Sequence, residues 1–136
     1  MAMVIDASVT MAWCFENEST AATDQVLDQL VTDSAIVPAL WRLEVANVLV
    51  VAERRKRITE AQGTHFLNLL EQLPIEVDLT PPDSMAHLDL ARRHGLSAYD
   101  ASYLMLSMAL DAPMATIDHR LAAACRSAGV PLVIAD

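Results

Sequence analysis

Four acids stand where an ordinary surface role does not account for them: Asp6, Glu44, Asp100 and Asp118. Asp6 directly follows the apolar run Met3-Val4-Ile5, and Asp118 directly follows Met114-Ala115-Thr116-Ile117. If both runs are parallel strands, both acids lie at the carboxyl edge of a sheet, where open α/β sheets bind ligands near a topological switch point. Neighbouring strands would place their ends about 5 Å apart. Each acid is equally well placed to cap the helix after it, a common use of aspartate. Glu44 sits in the most apolar stretch of the chain, residues 40–51, with Leu40, Val48 and Val51 at i−4, i+4 and i+7. Helical geometry sets its carboxylate beside that stripe. An unpartnered buried carboxylate costs roughly several kcal/mol, so Glu44 needs either an arginine or a metal ion. Asn47 lies one turn on and would share whatever Glu44 faces. Asp100 opens an apolar helix in Ser97-Ala98-Tyr99-Asp100, which is also a capping-box pattern. An acid in the first turn of such a helix still needs a polar destination, and a cleft at the sheet edge supplies one.

Carboxylates from four separate segments form the donor set of hard cations such as Mg²⁺ and Mn²⁺. Zinc would call for His and Cys ligands, and His65, His87, His94 and His119 show no ligand spacing.

The elements that must position these acids alternate along the chain. Short apolar runs predict strands at 3–5, 35–37, 75–77, 114–117 and 132–134. Helical patterns cover 9–32, 40–56, a segment opening at Thr59, a segment from Pro81-Pro82-Asp83 to Gly95, then 97–111 and 118–127. Thr59-Glu60-Ala61-Gln62 fits a capping box, and Arg92, Arg93 and His94 sit in a last turn as the macrodipole favours. Residues 97–111 are apolar on nearly every side, which predicts a buried helix. The alternation implies an α/β fold, with a mostly parallel sheet sandwiched between helices, over a single domain at 1–136.

Composition narrows the class. At 136 residues the chain can bury one substantial core. A hydrophobic fraction of 54 % with three Gly and six Pro argues for compact structure with short connections, or for apolar surface kept for a partner. No apolar run approaches a membrane span, and the start of the chain lacks the basic region of a secretory signal. Cys14 and Cys125 read as reduced core thiols, which points to the cytoplasm. The formal charge of −9 opposes a basic nucleic-acid footprint, but acids gathered around a metal also make a chain acidic, and the ion reverses the local sign. The dense basic run is Arg54-Arg55-Lys56-Arg57. It suits the end of a helix, and it also suits phosphate contact, with Arg42 and the Arg92-Arg93 pair as further candidates. Trp13, Trp41 and Phe15 read as core rather than as stacking platforms.

Four segments in order carry a resemblance to a known family. Val4-Ile5-Asp6-Ala7-Ser8 resembles the opening strand of PIN domains, and Pro38-x-Leu40-x-x-x-Glu44-Val45-Ala46-Asn47-Val48-Leu49 resembles their central acidic helix. Leu96-Ser97-Ala98-Tyr99-Asp100-Ala101-x-Tyr103 is similar to the third acid's segment, and Ala115-Thr116-Ile117-Asp118-x-x-Leu121 to the fourth. The resemblance spans essentially the whole chain and looks most like the VapC-type toxins of VapBC toxin–antitoxin pairs. It implies an acidic quartet, Asp6, Glu44, Asp100 and Asp118, holding Mg²⁺ or Mn²⁺ and hydrolysing RNA through metal-activated water. Ser8, Asn47 and Thr116 match polar positions near such sites. Either Glu44 or Asp118 is the carboxylate left to orient the water. An RNA substrate, a VapB-type antitoxin and a homodimer are further implications of the resemblance.

Other classes fit less well. A receiver-like signalling module needs paired acids near the first strand and a late lysine, but Lys56 is the single lysine. A haloacid-dehalogenase-type phosphatase needs a second acid where Ser8 stands. A PIN nuclease of RNA processing without an antitoxin, and a silent PIN module that only binds RNA or protein, are the nearer competitors.

Overall fold

In the computed structural model, which describes residues 2–134, short apolar runs form a four-stranded parallel sheet. Its strands are β1 (Ala2–Ile5), β2 (Ser34–Pro38), β3 (Ile75–Asp78) and β4 (Met114–Ala115), in the order β3-β2-β1-β4. The chain steps outward from β1 to β3, then returns to pair β4 on the other side of β1. That reversal puts the switch point between β1 and β4, with Ile5 in register with Ala115.

The helices are α1 (Ala7–Cys14), α2 (Ala21–Gln29), α3 (Leu40–Arg54), α4 (Glu60–Glu71), α5 (Ser84–His94), α6 (Ala98–Leu110) and α7 (His119–Ala128). Because β–α–β crossovers are right-handed, the outward steps lay α1 to α4 on one face, and the return lays α5 and α6 on the other. The packing agrees. Helix α3 contacts α1 and α4, while α6 contacts β1, β2, α5 and α7. The core is continuous, with Val4, Ile5, Val9, Val37, Val45, Leu104, Met114 and Leu121 all essentially inaccessible.

Three boundaries differ from the sequence expectation. The helix expected over 9–32 is broken: α1 stops at Cys14, buried Phe15 is extended, Glu16–Glu18 form a 3₁₀ turn, and Thr20 opens α2. Thr20 and Thr23 exchange capping-box bonds there, a start signal inside an otherwise helical pattern. The strand expected at 114–117 ends at Ala115, because the next amides bond side chains instead of a ladder: Ile117 N–H donates to Ser8 Oγ and Asp118 N–H to Thr116 Oγ1. The strand expected at 132–134 is reduced to one bridge between Leu132 and Met114, behind Pro131, which has no N–H to give.

The remaining termini follow their signals. Thr59 and Gln62 close a capping box on α4, Asp83 caps α5, and Gly95 and Gly129 end α5 and α7 in the left-handed region. Helix α6 is buried along Ala101, Tyr103, Leu104 and Leu106, but Tyr99, Met108 and Leu110 are exposed, so it is not buried on every side as its composition suggests. Both cysteines are free, with Cys125 buried and Cys14 partly so. Among the described residues, no helix is long and apolar enough to cross a membrane.

One terminus predicts a stability change. Asp111 ends α6 with φ +52°, a conformation that glycine adopts without steric cost, and places a negative charge at the helix's negative pole. Asp111→Gly is therefore expected to stabilise the protein by about 1 kcal/mol. A thermal melt checks this, and an unchanged or lower midpoint contradicts it.

Candidate active site

Helices that pack against a parallel sheet run back along it, so their N-termini gather at its carboxyl edge. Asp6 is the N-cap of α1 and Asp118 the N-cap of α7, while Glu44 and Asp100 lie near the starts of α3 and α6. Asp6, Asp100 and Asp118 thus stand at positive helix poles, which favour carboxylates, while Glu44 lies just beyond the first turn of α3.

Asp6 is the most constrained. It is 4 % exposed, and its carboxylate accepts three hydrogen bonds. Oδ1 accepts from the Val9 N–H at 3.1 Å and from Ser8 Oγ at 2.7 Å, and Oδ2 accepts from Thr116 Oγ1 at 2.5 Å. Its own N–H donates to Ala115 O across the β1–β4 pairing at 3.3 Å. The Thr116 hydroxyl in turn accepts the Asp118 N–H at 3.0 Å, and Ser8 Oγ accepts the Ile117 N–H at 3.2 Å. Two hydroxyls therefore stitch residues 6–8 to residues 116–118. Asp118 Oδ1 caps α7 through the Leu121 N–H at 2.9 Å. Capping and site placement coexist at both aspartates: the same helix start that needs an acceptor also presents the carboxyl group to the edge.

Glu44 is half-buried, on a flank with Leu40, Val48 and Val51, beside the fully buried stripe of Trp41, Val45, Leu49 and Ala52. Its partner is not an arginine. The Tyr103 hydroxyl donates to Glu44 Oε1 at 2.5 Å. Asp100, one turn before Tyr103 on α6, is half-buried, and its N–H donates to the Ser97 cap at 3.0 Å.

The acids act on one another through charge. Burial is the main cause that pushes Asp6 up to about 6, with the charge of Asp100 adding to it against the lowering by Thr116, Ser8 and Val9. Burial, then Asp100, raises Glu44, while the Tyr103 hydrogen bond lowers it. Burial, then Asp118, raises Asp100, opposed by Ser97. Asp100 is thus within electrostatic reach of each of the other three. No arginine or lysine is among the groups that set these values. Among the described residues, no three of these side chains stand close enough to enclose an ion as arranged. The fit to a hard cation rests on the donors themselves: oxygen ligands only, of which Asp6, Glu44 and Asp100 are raised by burial and then by a neighbouring charge, and Asp6 is held rigid.

Tyr103 is the member that reading the sequence for acids passes over. Its signal was present: a phenol three residues from Asp100, on the same face of an apolar helix, whose hydroxyl needs a buried partner. Ser8 and Thr116 lie at the centre of the site, while Asn47 is exposed one turn beyond Glu44.

The basic residues are not brought to this edge. Arg54 lies ten residues beyond Glu44 along α3, about 15 Å at the helical rise. Arg55, Lys56 and Arg57 follow it at the opposite end of the sheet, where Arg57 stacks over the ring of Phe15 at 4.2 Å. Arg42 is exposed and borders a cleft with Trp41, Leu70 and Val77, turned roughly 200° around α3 from Glu44. Arg92 pairs with Asp89 on the surface of α5.

Comparison with known proteins identifies the family and the fold. The family model described as PIN domain matches residues 3–127. Ribonuclease VapC1 of Mycobacterium tuberculosis is 37 % identical over 89 residues, covering 64 % of this chain and 65 % of that protein, just under two thirds of its length. Ribonuclease VapC3 of Pyrobaculum aerophilum is 28 % identical over 127 residues, covering 90 % of this chain and 93 % of that protein. Among solved structures, PAE2754 from Pyrobaculum aerophilum superposes with a TM-score of 0.69 at 25 % identity, covering 91 % of this chain and 87 % of that one. VapBC2 from Rickettsia felis, crystallised with a DNA fragment from its promoter, superposes with a TM-score of 0.70 at 12 % identity over 97 % of each chain, a likeness of fold.

Proposed function

The chain belongs to the PIN-domain family, and on that premise we propose that it is a divalent-metal-dependent endoribonuclease, the toxin of a VapBC-type toxin–antitoxin pair. The observation that carries the reading is the gathering of Asp6, Glu44, Asp100 and Asp118, from four separate helix starts, at the β1–β4 switch point. The relatives named as VapC ribonucleases support the RNA substrate. The VapBC2 complex supports a VapB-type partner in the same fold.

In this reading the four acids would hold Mg²⁺ or Mn²⁺. When bound, the ion activates water and offsets charge on the scissile phosphate. The protein's own part is to prepare the ligands. Thr116, Ser8 and the Val9 amide fix the plane of Asp6, and the Leu121 amide holds Oδ1 of Asp118, while Asp100 keeps the freedom of a half-exposed side chain. Glu44 or Asp118 orients the water. Leu43, Tyr99 and Ile117, each next in sequence to one of these acids, are 75 %, 67 % and 37 % exposed. Exposed apolar side chains beside the acids suit unstacked bases of single-stranded RNA better than a uniformly charged duplex surface. Arg42, Arg54, Arg55, Lys56 and Arg57 then act on RNA that extends beyond the cleft, and the protein works as a homodimer. The one domain works in the cytoplasm.

The test is direct. Protein free of any partner is expected to cleave single-stranded RNA with Mg²⁺ or Mn²⁺, to stop in EDTA, and to resume when Mn²⁺ is returned in excess. Attack by water, rather than by the RNA's own 2′-hydroxyl, leaves 5′-phosphate and 3′-hydroxyl ends. Cleavage that persists in EDTA, or products ending in 2′,3′-cyclic phosphate, overturns the mechanism.

A further inference from the structure

Tyr103 carries a hydroxyl into the core. The residue is 1 % exposed and packs within the main apolar cluster, yet its phenol ends on Glu44 Oε1, 59 positions away in sequence. On α6 it lies one turn after Asp100, so one helix face presents both an acid of the site and the tether of another. Building on the metal-site reading above, we propose that Tyr103 is a positioning residue, whose hydroxyl holds Glu44 in the conformation that binds the ion.

The physical case rests on stiffness. A glutamate has three side-chain torsions, and a half-exposed one without a tether spreads over rotamers that face solvent. A tyrosine ring embedded in a packed core has two torsions and little room to move either. The phenol donates to Oε1 and leaves Oε2 unused by it, so the tether fixes direction without consuming the whole carboxylate. Partners of this kind, hydrogen-bonded to a metal-binding carboxylate, typically change metal affinity or activity by 10–100-fold when removed. The bland account is that a buried phenol merely finds an acceptor. It predicts a change in stability and none in metal binding.

Tyr103→Phe keeps the ring and removes the hydroxyl. Mn²⁺ binding to the full chain, followed by the electron paramagnetic resonance of the free ion, is expected to weaken about tenfold in this variant. In a Glu44→Gln background the same substitution is expected to add nothing. Equal Mn²⁺ affinity of wild type and Tyr103→Phe overturns the positioning role and leaves the metal site standing. A wild-type protein that binds no Mn²⁺ overturns both. If the phenylalanine variant does not fold, 3-fluorotyrosine in the wild-type chain gives a second readout, since the chain has two tyrosines. The Tyr103 fluorine resonance is expected to move on Mg²⁺ saturation in wild type and to stay in Glu44→Gln. A resonance that ignores Mg²⁺, or that moves equally in both proteins, overturns the proposal.

Discussion

Asp6→Asn, Glu44→Gln, Asp100→Asn and Asp118→Asn are each expected to slow RNA cleavage by at least about a hundredfold. Loss of a group that merely supports a metal ligand typically costs 10–100-fold, and a ligand should reach at least the upper end of that range. The substitutions keep size and shape, so they remove charge and ligand oxygen with little repacking. Asp6→Asn should be the most severe. Its two oxygens accept from Val9, Ser8 and Thr116, and an amide would set its own N–H₂ group against at least one of those donors. Asp28→Asn serves as the control, because Asp28 is exposed near the end of α2, shortly before β2 begins at the opposite edge of the sheet. Initial rates on a quenched fluorescent RNA at saturating Mn²⁺, with circular dichroism to confirm folding, measure the series. Full activity in any two of the four variants removes the quartet from the mechanism.

The second large effect is on stability. In EDTA the protein is expected to become more stable as the pH falls from 7.5 towards 5. The folded state holds the Asp6 proton up to about 6, whereas an unfolded aspartate releases it near 3.8. Between those values the folded chain binds more protons than the unfolded one, so stability falls as pH rises through the window. For Asp6 alone the whole difference, reached only once the pH lies below both values, is on the order of 3 kcal/mol, of which roughly half falls between pH 7.5 and 5. Glu44 and Asp100 are raised as well and act in the same direction, but their half-exposure weakens the contribution. Mn²⁺ that binds only the folded state restores stability at neutral pH, by about 2.7 kcal/mol at one hundred times its dissociation constant, or roughly 10 °C in a chain of this size. Asp100→Asn removes a charge that bears on Asp6, Glu44 and Asp118 alike, and it keeps the N–H that Ser97 caps. It should leave the metal-free protein as stable as wild type or more so, flatten the pH dependence, and blunt the response to Mn²⁺. Thermal melts across pH, in EDTA and in a Mn²⁺ series, decide the matter. A variant that melts about 1 kcal/mol lower in EDTA yet responds fully to Mn²⁺ makes Asp100 a helix-start residue and nothing more.

The placement of the acids was legible because it follows from local rules. An acid directly after an apolar run marks the carboxyl end of a strand, and Asp6 and Asp118 both sit there. Glu44 announced itself by being charged in the wrong company. What could not be read locally was what meets what. That Glu44 would be answered by a phenol rather than a guanidinium depends on a side chain of α6, from one face of the sheet, reaching one of α3 from the other, a matter of packing and not of periodicity. The break after Cys14 was hidden because Phe15 and Thr20 sit inside a pattern that stays helical in period. The short β4 depended on Ser8, whose hydroxyl takes an amide from a segment more than a hundred positions away. The basic run was recognisable, but its distance from the acids depended on where in α3 each sits, ten residues apart along one axis.

The hydroxyl lattice that joins Asp6 and Ser8 to Thr116 and the amides beyond it also sets a time at which the site can exist. Its two halves are separated by 110 residues for the Asp6–Thr116 bond, so they meet only after nearly everything between them has been made and packed. Long-range closures of this kind come late in folding, and a chain emerging from the ribosome at about 5–20 residues per second spends several seconds with its first acid unaccompanied. On the proposed function, chains that stop short of residue 116 lack both Thr116 and Asp118 and are expected to cleave no RNA.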